Sequence, residues 1–160
     1  MSINDVRIKD VGGISSLPTE TWQVAASATI INPGEPVKIT TAGAKYVSKL
    51  ADAEPTTTVK ILGIAKSTST NTASVDGVVE IFILDPRVTL SVAAKSSTTV
   101  DTDAEILALE GKRVPFDLTS SKFTVDSTDA DASTNGLRII GGNSTTKELY
   151  VRVITNGLDA

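Results

Sequence analysis

The residues of this chain that could do acid–base or metal chemistry are mainly carboxylates, because its 160 residues include no histidine and no cysteine. Without histidine there is no Ser-His-Asp or Cys-His nucleophile pair and no imidazole ligand for a metal. Without cysteine, zinc fingers, iron–sulfur sites, thiol catalysis and disulfide frameworks are excluded as well. What remains is chemistry by carboxylate, lysine, tyrosine or hydroxyl groups, or no chemistry.

An acidic loop near the C-terminal end is the first place to look for a bound cation. Asp126, Asp129 and Asp131 follow one another with the spacing D-x-x-D-x-D. A calcium EF-hand loop needs oxygen ligands at alternating positions, a glycine at the sixth position and flanking helices. The loop has neither that glycine nor those helices, so we interpret it as a solvated turn and predict no metal ligands.

The glutamates give no catalytic pattern either. They are dispersed over different elements, and no two can be paired by spacing into the acid dyad of a glycosidase. Aromatic residues make up only 4% of the chain, which argues against a carbohydrate-binding cleft. We therefore predict that the protein is not an enzyme and needs no cofactor, with a carboxylate-dependent hydrolase as the remaining enzymatic alternative.

Charge and hydropathy limit the classes of partner that the chain could bind. The formal net charge is −4, and the 15 basic residues are scattered along the chain, with Lys112 and Arg113 as the one adjacent pair. Binding to nucleic acid needs a clustered basic surface, so we predict no nucleic-acid partner. The N-terminus does not resemble a signal peptide, and the apolar runs are far shorter than the roughly 20 residues that span a bilayer. We expect that the protein does not associate with a membrane. We also expect that it is synthesised in the cytoplasm.

The elements that position these residues are predicted to be strands. Ser and Thr form roughly a quarter of the residues, and Val and Ile supply much of the apolar volume. Since β-branched residues favour a pleated surface, we predict a mainly β fold. The expected body is a small β-sandwich or β-barrel-like structure with one short helix at about residues 102–110 and an extended N-terminal arm.

Several local patterns make this prediction specific. Residues 102–105 have the form of a helix capping box, and Gly111 supplies the stop. Gly63, within an apolar run, indicates a bulge or a close backbone approach. Residues 78–84 are apolar on both faces, which predicts a central strand covered on both sides. The Ser/Thr/Asn run at residues 66–76 is interpreted as a solvated loop, and Gly141-Gly142 as a turn.

The domain organisation follows from the linker-like stretch at residues 95–99. We predict an N-terminal arm at residues 1–20, a β subdomain at 21–95 and a second β subdomain with the short helix at 96–160. One continuous domain over residues 21–160 is the alternative.

The predicted arm carries more apolar residues than a solvated tail would. Two interpretations stay open at this point: a strand packed on its own domain, or an arm that lies on a partner protein. Trp22, where the arm meets the first strand, is either a core residue or an intermolecular anchor. The candidate partner-contact residues are Ile3, Val6, Ile8, Val11, Ile14 and Trp22.

Three segments carry a family resemblance: residues 25–38, with Asn-Pro-Gly-Glu-Pro-Val; residues 61–67, with Leu-Gly-Ile-Ala; and residues 76–83, with Asp-Gly-Val-Val. Their order resembles that of the capsid decoration (cement) proteins of tailed bacteriophages. Residues 135–142 and 149–153 are similar to the closing segments of such virion proteins. The resemblance covers about residues 22–154 and consists of turn-and-strand patterns.

The resemblance implies a small β-rich virion protein, without enzymatic activity or cofactor, that binds the exterior of an expanded phage capsid and stabilises the head. It implies the major capsid protein as partner and a homo-oligomer, with a trimer favoured. The arm would then reach a capsid protein or a neighbouring subunit. The alternative within the structural class is a head-fibre, tail or baseplate domain that binds host glycans.

Overall fold

The computed structural model describes residues 6–41, 45–130 and 133–154 of the chain. Within these residues the fold is mainly β, with one short α-helix, which confirms the predicted fold class. Two short 3₁₀ turns lie at Ser97–Thr99 and Ser127–Asp129. In chain order the elements are β1 (Val6–Asp10), β2 (Thr19–Val24), β3 (Pro36–Thr41), β4 (Tyr46–Lys49), β5 (Gly63–Ala65), β6 (Gly77–Ile83), β7 (Thr89–Ala93), α1 (Asp103–Leu109), β8 (Arg113–Val114), β9 (Phe116–Thr119), β10 (Lys122–Val125), β11 (Leu137–Asn143) and β12 (Glu148–Val153).

Five strands from the first half close into a small barrel in the order β2-β4-β3-β5-β6. Its interior is filled by alternate residues of the strands, among them Val37, Val47 and Ile81, which are at most 1% exposed. The predicted close approach at Gly63 is confirmed, because a Cβ there would collide with the carbonyl oxygen of Phe82 on the paired strand β6. Glycine at this position therefore allows the barrel to close tightly.

A second sheet has the order β1-β7-β12-β11-β8, with antiparallel neighbours throughout. Its last strand in sequence, β12, alternates as its pattern predicts: Leu149, Val151 and Val153 are buried in the larger of two hydrophobic cores. The hairpin β9–β10 adds Phe116 and Phe123, whose rings meet edge to face with centroids 5.8 Å apart.

The helix is placed as the sequence predicts. The Thr102 side chain accepts a hydrogen bond from the Glu105 N–H, and the Glu105 carboxylate accepts one from the Thr102 N–H, which completes the capping box. Gly111, just beyond the helix, has φ +84°, a conformation that favours glycine. Ile106 is the buried residue of α1 and packs into the larger core.

The prediction of a turn at Gly141-Gly142 is wrong, because both residues lie inside β11. The physical reason is the helix above the strand: a Cβ on Gly142 would lie 3.2 Å from Ile106 Cγ2 and 2.7 Å from the Glu148 carbonyl oxygen. The glycine is needed here for close packing of α1 on the sheet rather than for a change of chain direction.

The prediction that the strand at residues 78–84 is covered on both faces is correct only for its C-terminal part. Val79 and Ile81 point into the barrel, and Leu84 is buried in the larger core, but Val78 is 44% exposed. The second sheet covers only one end of the outer barrel wall, and the outward-facing start of β6 is left in solvent. Glu80 reaches solvent on the same wall, 3.7 Å from the Lys66 ammonium.

The barrel and the second sheet are joined by several contacts. The loop at residues 51–61 is hydrogen-bonded to Phe116 and Gly136 of the second half, and Leu50 and Ile61 belong to the larger core. Strand β7, which precedes the predicted boundary at residues 95–96, pairs with β12, which follows it. The division into two subdomains at that boundary stays a prediction.

Candidate functional site

The N-terminal residues chosen as partner contacts pack mainly on the chain itself. Val6 is 2% exposed and belongs to the larger core, while Ile8, Val11 and Ile14 are half-buried against that core. Strand β1 pairs antiparallel with β7. For residues 6–10 the structure therefore shows the first of the two interpretations, a strand packed on its own domain. Ile3 lies outside the described residues.

Trp22 is a core residue of the barrel, 7% exposed. Its indole N–H donates to the Glu20 carboxylate at 3.0 Å, and the Lys45 ammonium lies 5.6 Å from the ring centroid. Val6 and Trp22 thus lie in different cores and are not brought together into one site. Contact of a partner with these residues stays a prediction, and both side chains have little surface left for it.

The acidic loop is used to cap a turn. The Asp126 carboxylate accepts hydrogen bonds from the Thr128 and Asp129 backbone N–H groups and from the Thr128 hydroxyl, and so caps the 3₁₀ turn at Ser127–Asp129. Asp131 lies outside the described residues. Among the residues that the structure does describe, no group of three or more acidic side chains is arranged to hold a metal ion.

Lys95, which follows β7, holds together two carboxylates of the β9–β10 hairpin and the residue after it. Its ammonium lies 2.7 Å from Asp117 Oδ1 and 2.8 Å from Asp126 Oδ2. Burial raises the pKa of Asp117, but the hydrogen bonds from Lys95 and Thr119 outweigh it and bring the pKa below its ordinary value. The hydrogen bond to Asp117 is the main reason that the pKa of Lys95 is raised.

These ion pairs therefore connect the end of β7 to the β9–β10 hairpin. A general acid needs a raised carboxyl pKa so that it holds a proton near neutral pH. Asp117 is shifted in the opposite direction. The geometry and the charges together fit a structural role for the three side chains.

A different region of the barrel presents an uncharged surface with exposed apolar side chains. We call it the neutral face and define it as residues 25–31, residues 67–75 and Val78; the two ranges contain no Asp, Glu, Lys or Arg. Three large apolar side chains are exposed on it: Ile30 at 40%, Val75 at 61% and Val78 at 44%. Elsewhere in the described chain, Leu107 and Ile140 are the large apolar side chains with comparable exposure.

The alternation of the backbone brings Ile30 and Val78 to one side. Ile31 and Val79 point into the barrel core, so their neighbours Ile30 and Val78 point outward. Between them lies Thr70, whose N–H donates to the Val78 carbonyl oxygen at 3.0 Å. Ser69, next to Thr70, exchanges hydrogen bonds with the backbone of Ile31. The three segments therefore lie side by side, with an apolar and hydroxyl-bearing outer surface.

Buried amide and hydroxyl groups hold the neutral face rigid from inside. Asn71, 5% exposed, donates through Nδ2 to the Ala28 carbonyl oxygen at 2.8 Å and to the Ala25 carbonyl oxygen at 3.3 Å. Its Oδ1 accepts a 2.7 Å hydrogen bond from the Ser69 hydroxyl. Because buried polar groups of this kind must be satisfied, they lock the two segments to each other.

The rim of the neutral face is fixed in the same way. The Ser27 hydroxyl donates to the Ala73 carbonyl oxygen at 2.6 Å, and Asp76 accepts from the Ala26 N–H at 2.7 Å and from the Tyr46 hydroxyl at 2.6 Å. The hydrogen bond from Tyr46 is the main reason that the pKa of Asp76 is lowered. The Asp76 carboxylate is thus bound to the chain, and Glu80, on the same outer wall as Val78, lies 3.7 Å from the Lys66 ammonium.

The neutral face has an uncharged composition that is typical of the centre of a protein interface. The centres of protein interfaces are depleted of charge, because charges are costly to desolvate. The interpretation of residues 66–76 as a solvated loop missed this surface. The available signal was the absence of charge from two distant segments, but the sequence alone did not show that they pair.

Within the described residues, no helix is both long enough and apolar enough to cross a membrane.

Comparisons with known proteins do not place the chain in a family. No protein-family model matches the sequence, and no curated protein matches it significantly.

Proposed function

We propose that this protein is a structural virion protein that binds the exterior of a phage capsid and stabilises the head. The observation that supports it is the neutral face, a rigid and uncharged surface with exposed Ile30, Val75 and Val78. Such a surface serves association with other proteins. The resemblance of residues 22–154 to capsid decoration proteins supplies the phage capsid as the assembly, with the major capsid protein as partner.

The physical demands of that role agree with the chain. A decoration protein stabilises a shell by binding its assembled state, so many copies with modest affinity act together by mass action. Such a protein needs contact surfaces and a stable body, and the two hydrophobic cores and the paired charges provide that body. Synthesis in the host cytoplasm and function on the capsid exterior are both compatible with a chain that has no cysteine.

The glycan-binding alternative, a head-fibre, tail or baseplate domain, stays a prediction that no observation favours. Sugar platforms use exposed aromatic rings, whereas Trp22, Phe116 and Phe123 are buried here and Phe82, Tyr46 and Tyr150 are only partly exposed.

The test is a binding experiment with purified capsid shells that lack this protein. We expect the chain to co-sediment with expanded shells at a saturating ratio of many copies per particle and to raise the temperature at which the shells disrupt. Unexpanded shells serve as the control, because they lack the mature lattice. Failure to bind shells of the phage that encodes the chain would refute the proposed function.

A further inference from the structure

We propose that the outer face of the second sheet, which is turned away from the larger core, binds a short acidic segment of a partner protein. The residues that hold it are Arg113, Arg138 and Arg152, which we call the arginine row. The inference goes beyond the proposed function and does not depend on it, because the row lies on the second sheet and the neutral face on the barrel.

Strand register brings the three arginines together from distant parts of the sequence. Arg138 of β11 lies opposite Arg113 of β8 on one side and opposite Arg152 of β12 on the other. The residues next to them in their strands are buried in the larger core, so the alternation of each strand turns its arginine to the outer face. Since neighbouring strands lie about 4.8 Å apart, the row extends over about 10 Å of the sheet.

The charges of the row are not balanced within the described part of the chain. Like charges placed directly opposite each other destabilise a pair of strands, and here two such pairs lie side by side. No carboxylate of the described residues forms an ion pair with a member of the row. The other two of the chain's five arginines are both paired, Arg7 with Glu148 and Arg87 with Asp85. Acidic groups from outside the chain would remove the repulsion.

Uncharged acceptors hold the two outer members of the row in place. Arg152 donates through Nε to Thr89 Oγ1 at 3.1 Å, and Arg113 donates through Nη1 to the Ser133 carbonyl oxygen at 2.7 Å. The Arg138 side chain between them is exposed, and no described residue bonds it. Each guanidinium therefore keeps N–H donors for a ligand, and a guanidinium binds a carboxylate through two parallel N–H···O bonds.

Acidic residues on the same face limit the length of the ligand. Asp10 lies opposite Thr89, the residue that Arg152 bonds, and Glu148 lies on the outer face of β12. A long polyanion that continued past the row would meet these carboxylates. Strong binding of nucleic acid also rests on about six to ten phosphate contacts, more than three arginines provide. A segment with two or three Asp or Glu residues matches the row in charge and in length.

Side chains that border the row favour a peptide over a free anion. Ile140, two residues from Arg138 in β11, is 38% exposed. Tyr150, two residues from Arg152 in β12, is half-buried, and the Lys9 ammonium lies 3.8 Å from its ring centroid. Arginine and tyrosine are enriched in protein interfaces, where their apolar surfaces add to the polar contacts.

The experiment titrates the free ¹⁵N-labelled chain with a seven-residue peptide that alternates glycine with three glutamates. The five arginines give five side-chain Nε–H signals in NMR spectra. We expect the signals of Arg138 and Arg152 to shift until the site is saturated, while that of Arg87, which is paired with Asp85, stays in place. The same peptide with glutamine in place of glutamate should shift none of them. Absence of a saturable shift, or equal shifts of all five signals, would overturn the proposal.

A pair of variants with equal charge separates the site from the general field of the protein. Arg138→Gln removes the middle of the row and should weaken peptide binding about fivefold. The matched control is Lys122→Gln, which removes one positive charge from an exposed residue of β10, next to Phe123 in the larger core. It should change the affinity less than twofold. Equal weakening by the two substitutions would refute the site.

Two further measurements test the role of Arg138 and the class of ligand. Because its cross-strand neighbours carry the same charge, we expect Arg138→Gln to keep or raise the midpoint of urea unfolding at low salt. A clear fall would assign Arg138 a structural role and overturn the proposal. Tighter binding of a single-stranded dT oligonucleotide than of the acidic peptide would also overturn it, in favour of nucleic acid. Shell binding is measured separately, so its loss would refute the proposed function alone.

Discussion

The packing of Val6 predicts that the first strand stabilises the folded body. Val6 is 2% exposed in the larger core and lies opposite Val92 of β7. Val6→Ala removes two methyl groups, each contributing about 0.8 kcal/mol, or about 1.6 kcal/mol together. The cavity that remains brings the expected loss in the free energy of unfolding to about 2 to 2.5 kcal/mol.

The assay is equilibrium unfolding in urea, followed by far-ultraviolet circular dichroism and by the fluorescence of the single tryptophan. With a slope of about 2 kcal/mol per molar urea, the midpoint should fall by about 1 M. The control is Val75→Ala, the same substitution at a side chain that is 61% exposed. It should change the free energy of unfolding by no more than about 0.5 kcal/mol.

The two signals add a second result. Trp22 lies in the barrel core and Val6 in the other core, so coincident transitions would show that the two cores unfold together. If Val6→Ala changed stability no more than Val75→Ala, the strand would not be docked in solution. The packing of β1 on its own domain would then be refuted, and the interpretation of residues 1–20 as an arm that lies on a partner would be the one left to test.

Three further predictions follow from single contacts. Thr102→Ala removes the capping hydrogen bond of α1 and should cost about 1 kcal/mol in urea unfolding, while Thr102→Ser should cost less than half of that. Gly63→Ala forces a Cβ against the backbone of β6 and should lower the free energy of unfolding by at least about 2 kcal/mol. The control is Gly13→Ala, where the backbone is strained but the space for a Cβ is open, and it should cost less. A smaller loss at Gly63 than at Gly13 would contradict the close approach. The pKa of Asp117 is lower in the folded state than in the unfolded state. The ionised Asp117 therefore stabilises the fold at a pH above the unfolded pKa of about 3.9, and this stabilisation is lost as the pH falls through the lower folded pKa. The stability gap between wild type and Lys95→Met should therefore narrow below about pH 4 in urea titrations, and a gap that is constant with pH would show that Lys95 does not act through this carboxylate.

Patterns that depend on neighbouring residues predicted local structure well. The capping box at Thr102 and the alternation of Leu149, Val151 and Val153 are short-range signals, and both are confirmed. Patterns whose outcome depends on which distant segment packs against a residue were less informative. The exposure of Val78 and the position of Gly142 inside β11, against Ile106, follow from where the second sheet and α1 lie, which local sequence does not specify.

The candidate site shows the same division. Apolar residues near the N-terminus suggested a partner contact there, since an apolar run looks the same whether it is buried within a chain or between chains. The sequence did not reveal the neutral face, because Ser69 and Asn71 were interpreted as polar loop residues. In the fold they turn inward, where they bond Ile31, Ala25 and Ala28 across more than 35 residues of sequence, and leave Ile30 on the surface.

By itself, the sequence determined which chemistry is absent, that the fold is mainly β, and where the helix begins, because composition, alternation and capping are properties of single segments. Only the tertiary structure decided which apolar residues are covered and which stay exposed. That outcome depends on pairing between distant segments, such as Val6 with β7 and residues 25–31 with residues 67–75. The neutral face, on which the proposed function rests, belongs to the second kind, since it exists only where two uncharged segments are brought together.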